Sequence, residues 1–164
     1  MMKLTLLRHG TAEDFHPSGD DSRRELIEKG RRQARNAGWY FQSQGWKPDL
    51  VLTSPYRRAL VTAQLFCEEG GFGLPQEEDF LASGMCVSDA IAGLKPYLGL
   101  ERVVIVGHQP DFGELVCYLT GQGGDEVEVG KGSLWEIEVE TLRASGAKVG
   151  FYLSAKQVAA LREA

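Results

Sequence analysis

Val103-Val104-Ile105-Val106 is the run that most constrains what this chain can fold into. Four consecutive β-branched apolar residues leave no polar face, so the strand they form must be covered on both sides, as central strands of parallel sheets are. The run stops on Gly107-His108, and Gln109-Pro110-Asp111 leads into a helical stretch, Phe112 to Thr120, closed by Gly121. The same strand-to-helix arrangement occurs twice more. Leu4-Thr5-Leu6-Leu7 runs into Arg8-His9, and Gly10 frees the backbone to turn. Leu50-Val51-Leu52-Thr53 runs into Ser54-Pro55, with the serine expected as N-cap and the proline at the first helical position. In an open α/β sheet the carboxyl ends of the strands face the ligand crevice. Three turns therefore deliver Arg8-His9, Arg57-Arg58 and Gly107-His108 to one edge of one sheet. The predicted fold is α/β: one three-layer domain over residues 1–164, with a mostly parallel central sheet and helices on both faces.

The remaining elements follow from periodicity and punctuation. Leu26, Gly30, Ala34, Ala37 and Phe41 recur at helical spacing, with Arg31, Arg32 and Arg35 off that face. Asp21 or Ser22 is the expected N-cap of this long first helix and Gly45 its stop, while Gly30 and Gly38 are expected to pack closely on the sheet. Ala59, Ala63 and Phe66 give the next helix its face, ending at Gly70-Gly71. A short strand is expected near Glu78-Phe80 and a modest helix over Val87 to Tyr97. Gly121 to Gly132 reads as a glycine-rich mobile segment. Leu134 to Val139 and Val149 to Leu153 read as a hairpin around Ser145-Gly146, with Glu136, Glu138 and Glu140 on one side of a half-exposed strand. Ala155 to Ala164 closes as a helix.

Composition narrows the function classes. Eighteen Lys and Arg against 23 Asp and Glu leave a net charge of -5, which argues against nucleic acid or an anionic membrane as a general partner while leaving room for a local basic pocket. Cys67, Cys86 and Cys117 are odd in number and follow no metal spacing, so free, mostly buried thiols in a reducing compartment are expected. No stretch approaches a membrane span, and only four residues separate Lys3 from Arg8, too few for a signal-peptide core. The expectation is a cytoplasmic protein.

Two arginines, two histidines and helix N-termini at one sheet edge describe a phosphate site. A guanidinium offers paired donors to phosphate oxygens and never deprotonates. A helix N-terminus adds free N–H groups for an anion. A neutral imidazole among such cations can attack phosphorus, because neighbouring positive charge disfavours its protonated form. No histidine pairs with another ligand at i, i+4, so neither metal nor cofactor is expected.

Taken together, L-L-R-H-G-T-A, T-S-P-Y-R-R-A-L-V-T-A and V-I-V-G-H-Q-P resemble the histidine phosphatase superfamily, and R-E-L-I-E-K-G-R-R-Q-A resembles the helix-opening pattern of its small members. The resemblance runs from Leu4 to about Leu119, with weaker echoes at Lys131-Gly132-Ser133 and Leu153-Ser154. The short length matches the SixA-like branch, which includes protein phosphohistidine phosphatases and lacks the lid insertions of larger phosphatases and mutases. The resemblance implies that His9 is the nucleophile that becomes phosphorylated. It implies that Arg8 and Arg58 hold the phosphoryl oxygens, with Gly10 beside them, and that His108 donates to the phosphoryl group. Ser54 fits the pattern's serine and is expected to serve as a cap; His16 has no matching role. Larger members carry a carboxylate general acid before the third helix, where this chain reads L-A-S-G-M; the nearest carboxylates are Glu77, Glu78 and Asp79. The substrate class implied is a phosphorylated protein. A small phosphorylated metabolite, and a phosphate-binding regulatory module without turnover, are the alternatives; the intact nucleophile argues against the last.

Overall fold

The computed structural model describes residues 1–122 and 127–164. Its centre is one six-stranded sheet. In chain order the elements are β1 (Met2–Arg8), α1 (Glu28–Ser43), β2 (Leu50–Thr53), α2 (Arg57–Gly70), β3 (Gln76–Glu77), α3 (Val87–Leu94), β4 (Arg102–Gly107), α4 (Asp111–Thr120), β5 (Leu134–Val139), β6 (Ala147–Leu153) and α5 (Ala155–Glu163). The strands lie in the order β3-β2-β4-β1-β5-β6. Those from β3 to β1 pair in parallel, and β5 and β6 add an antiparallel edge.

The all-apolar β4 is explained by its neighbours. Val103 and Ile105 face a core shared with Ala90 and Leu94 of α3 and Leu115, Val116 and Leu119 of α4. Val104 and Val106 face the opposite core, with Ala37 and Phe41 of α1, Ala59, Ala63 and Phe66 of α2, and Val158 of α5. The period of two along the strand divides its side chains between two layers of helices. β1 and β4 lie side by side, yet α1 and α4, which follow them, cover opposite faces. Their carboxyl ends therefore form a topological switch point, where open α/β sheets leave a crevice.

Several local expectations are corrected, mostly because distant partners outweigh local propensity. Asp21 and Ser22 do not cap α1. Residues Asp21–Arg23 form a turn of 3-10 helix, Ala12 and Leu26 make an isolated β-bridge, and α1 begins at Glu28 with Ile27 in the cap position. Asp21 is drawn instead into ion pairs with Arg24 and Arg58. Ser54-Pro55 does not start α2 either: Tyr56 is its N-cap, and Ser54 Oγ accepts the Tyr56 amide in a turn just before it. Gly30 packs on the Thr11 backbone and Gly38 on that of Phe66, so their clearance serves the turn after β1 and α2 rather than the sheet. β3 falls two residues before its expected place and is followed by 3-10 helix over Asp79–Leu81. α3 stops at Leu94, with Pro96 in a 3-10 turn behind it. Glu136 is not exposed; it is buried against Arg102, and the register irregularity at this point places its extra residue, Gly150, on β6, so that β5 keeps unbroken register with β1. Of the three thiols only Cys67 is buried, whereas Cys86 is exposed and Cys117 half-buried. The expected mobile segment includes residues 123–126, which lie outside the described residues. Behind them Val129 is fully buried. No helix among the described residues is long and apolar enough to cross a membrane.

Candidate phosphate site at the carboxyl edge of the sheet

Arg8, His9, Arg58, Ser54 and His108 converge where β1, β2 and β4 end. Register sets this up. Arg8 is level with Gly107, and Thr53 with Val106. The His9 amide then donates to Gly107 O (3.0 Å), tying the two histidine-bearing turns together. The imidazole centroids of His9 and His108 stand 5.3 Å apart, and both rings are buried.

The His9 tautomer follows from its partner. Nδ1 lies 2.7 Å from Gly10 O, and a carbonyl only accepts, so Nδ1 carries the proton and the Nε2 lone pair is free. Burial, reinforced by Arg58, Arg8 and Arg24, pushes the His9 pKa down to about 4, against the opposing pull of the Gly10 carbonyl. At neutral pH the ring is an uncharged base. His108 is pushed down to about 3 by burial, then by His9 and Arg58. Its Nε2 meets Ser54 Oγ at 2.8 Å. Because Ser54 Oγ already accepts the Tyr56 amide (3.1 Å), its own hydrogen is satisfied by pointing at His108 Nε2, which places the imidazole proton on Nδ1.

The cations are held from outside. Arg58, 4% exposed, donates Nη1 to Asp21 O (2.8 Å) and Nη2 to Asp21 Oδ2 (3.0 Å), and lies over the Tyr56 ring at 5.2 Å. The other Asp21 oxygen accepts from Arg24 Nη1 at 2.9 Å. These bonds, Arg24 first, hold the Asp21 carboxyl below its ordinary pKa. Arg8 Nη1 donates to Val129 O (3.0 Å). Six buried side-chain N or O atoms lack a hydrogen-bond partner among the described residues, and three of them are Arg8 Nε, Arg58 Nε and His108 Nδ1. Buried polar atoms are rarely left so; these three belong to the residues whose charges act on His9 and to the imidazole beside it, and together they form a cradle of donors for an anion.

Around this cradle the packing is tight. The Gly10 amide donates to Thr62 Oγ1 (3.1 Å), and a Cβ on Gly10 would lie 2.4 Å from Gly30 O. Thr11 gives its amide (2.9 Å) and hydroxyl (3.2 Å) to Gln33 Oε1. The Gly132 amide closes on the carbonyls of Arg8 and His9. Arg57 faces away, paired with Glu25 on the surface. His16 is a half-buried loop residue bonded to Ser18. Glu78 is engaged by Gln76 and Tyr97. Asp111, whose pKa burial raises, accepts the amides of Gly84 and Met85 and so anchors the segment in which larger family members carry an acid. Asp21, Gln33, Thr62 and the Val129 carbonyl are parts of the site that sequence reasoning missed. Only Asp21, with Arg24 three residues on, left a trace there, as an i, i+3 charge pair. No cluster of three His, Cys, Asp or Glu placed to hold a metal occurs among the described residues.

Comparisons with known proteins point the same way. A family model described as the histidine phosphatase superfamily (branch 1) matches residues 4–82. An uncharacterised protein of Picosynechococcus sp. (strain PCC 7002) is 30% identical over 136 residues, covering 81% of this chain and 82% of its own. The protein histidine phosphatase SixA, solved with tungstate, superposes with a TM-score of 0.82 at 22% identity, covering 94% of this chain and 98% of that one. The α-ribazole phosphatase of Shigella flexneri gives 0.74 at 19% identity, covering 94% and 97%.

Proposed function

We propose that this chain, which belongs to the histidine phosphatase superfamily, is a phosphatase that removes the phosphoryl group from phosphohistidine on a protein by way of its own His9. Membership of the family supports phosphatase-type hydrolysis. The observation that supports the residue roles is the cradle: a neutral imidazole with a free Nε2, close to Arg8, Arg58 and His108, whose Nε, Nε and Nδ1 lack partners among the described residues.

In this reading the phosphoryl oxygens take the open N–H groups of Arg8, Arg58 and His108. His9 Nε2 attacks phosphorus in line, a P–N bond to His9 forms, and the P–N bond to the substrate imidazole breaks; that imidazole, protonated beforehand on its other ring nitrogen, leaves neutral. Water then attacks the phosphoenzyme and returns His9 to its neutral form with release of phosphate. Gly10 serves by position: its carbonyl fixes the tautomer, and its lack of a side chain lets the turn touch Gly30. A bound phosphoryl anion raises the pKa values of both histidines and favours donation by His108. No carboxylate hydrogen-bonds to His9 or His108 among the described residues. An imidazole already protonated on its other ring nitrogen departs neutral without a general acid, and therefore suits the site better than an alkoxide, a far stronger base that needs a proton to leave. A small phosphorylated metabolite is the second reading, favoured by the fold shared with the α-ribazole phosphatase of Shigella flexneri.

The test is a rapid quench with ³²P-labelled substrates, a phosphohistidine protein beside a panel of phosphorylated metabolites. Acid-labile, base-stable label on the His9 peptide and faster turnover of the protein substrate are expected. Label on His108 overturns the assignment of the nucleophile, and turnover of the metabolites alone overturns the substrate class.

A further inference from the structure

One basic groove lies outside the site and shares a wall with it. Between α1 and α5 a cleft of about 340 Å³ is lined by Lys29, Arg32, Gln33 and Asn36 from α1 and Ala155, Lys156 and Ala159 from α5. Lys29, Arg32 and Lys156 are exposed, and none of them forms an ion pair among the described residues. Three unneutralised cations along one cleft stand out in a chain of net charge -5. At the far end Arg162 bonds to Asn36 and Glu69, so the charge is concentrated toward the near end.

The near end opens at the catalytic edge. Leu153, the last residue of β6, pairs with Leu134, and Leu134 pairs with Leu7 of β1. The α5 N-terminus therefore rises from the same edge of the sheet as His9. Its first turn is fixed by a capping box between Ser154 and Gln157. Lys29 sits in the first turn of α1, so two helix N-termini add positive potential to the three side chains. Gln33 belongs to both places: it lines the groove and takes the Thr11 amide two residues after His9. Two Cα steps and a hydrogen bond put the groove wall within roughly 10–12 Å of His9, a span of about three or four extended residues. A polypeptide running on from the phosphoryl site can span that distance, and Ala155 and Ala159 give its backbone an apolar surface to lie on.

We propose that this groove seats an acidic segment of the phosphoprotein substrate, with Asp or Glu side chains a few residues from the phosphohistidine meeting Lys29, Arg32 and Lys156. The proposal rests on the protein-substrate reading above and adds where the substrate's charge is recognised.

Two synthetic 12-residue phosphohistidine peptides test it, identical except that one carries four Glu and the other four Gln beside the phosphohistidine. The wild-type chain is expected to favour the Glu peptide about tenfold in kcat/KM at low salt, the scale of a few exposed ion pairs. The preference should lie in KM and shrink in 0.5 M salt. K29E/R32E/K156E, and the milder K29Q/R32Q/K156Q should the first fold poorly, are expected to lose the preference while hydrolysing p-nitrophenyl phosphate at the wild-type rate. Polyglutamate should compete with the Glu peptide. Equal turnover of both peptides by the wild-type chain, a preference that survives in the variants, or competition by an oligonucleotide but not by polyglutamate, overturns the docking proposal and leaves the phosphohistidine reading standing. Failure to turn over either peptide defeats that reading, and the docking proposal with it.

Discussion

Two buried arginines at opposite ends of the central strands show how the same side chain serves different ends. Arg102 opens β4 and leaves no buried nitrogen without a partner among the described residues: it pairs with the equally buried Glu136 and lies over Trp46 at 4.4 Å and Phe41 at 5.7 Å. Arg58, at the other end, is buried just as deeply but incompletely satisfied, its outer nitrogens held by Asp21 and its Nε left open beside His9. A closed cation stabilises or at least specifies a packing; an open one stores unsatisfied binding capacity for an anion. Both guanidinium groups also lie over aromatic rings, so stacking does not distinguish them. The difference lies in which N–H groups the protein leaves unused.

Substitutions can break this comparison, the most severe first. His9→Ala is expected to abolish turnover and phosphoenzyme formation while the urea unfolding midpoint moves little; measurable ³²P incorporation would show that another group attacks. Arg58→Ala should lower kcat/KM by ~10²-fold or more, as loss of a donor to developing charge does. Arg102→Ala should leave kcat within a few-fold and cost about 3–5 kcal/mol in urea unfolding, because Glu136 is left buried and unpaired. A large activity loss in Arg102→Ala would erase the distinction. Replacing the pair together, Arg102→Met with Glu136→Leu, should recover most of that stability.

Protonation probes the end of the sheet where His9 and His108 meet. Both histidines have folded pKa values, about 4 and about 3, below the ordinary 6.5 of the imidazole. Between those limits the unfolded chain binds more protons than the folded one, so stability rises with pH. The contribution is complete above about 6.5 and is lost as pH falls from 6.5 toward 4 and then 3. Urea midpoints measured from pH 7.5 to 4.5 should decline, and His108→Gln should flatten that decline; an unchanged slope would place the titration elsewhere. The smallest expected effect is that of Asp21→Asn. It keeps the backbone bond to Arg58 and loses only a partly exposed charge, so kcat/KM should fall less than tenfold, mainly through KM.

The three strand ends were legible because two strong signals coincide there: a short apolar run and an abrupt stop on Gly, Ser or His. Choosing Arg58 over Arg57 came from the family resemblance, and the structure gives its physical counterpart, one residue buried at the site and the other paired with Glu25 at the surface. What the sequence concealed were partners brought in from afar. Asp21 and Ser54 carry strong N-cap propensity, yet each is claimed by a side chain at least 37 positions away, Arg58 and His108 respectively. Glu136 sits in an alternating strand and reads as solvent-facing until Arg102 is seen opposite it. The Val129 carbonyl that holds Arg8 is a backbone group, invisible to any reading of residue types.

The backbone bond from His9 N to Gly107 O has a further consequence. It makes the gap between the two imidazoles a matter of how far apart adjacent strands run, about 4.8 Å in any sheet, close to the 5.3 Å between the rings. The spacing of the two imidazoles is thus a ruler ruled by main-chain geometry, indifferent to which apolar residues fill the layers above and below. Sequence drift in those layers can wear away stability long before it puts the two rings out of alignment.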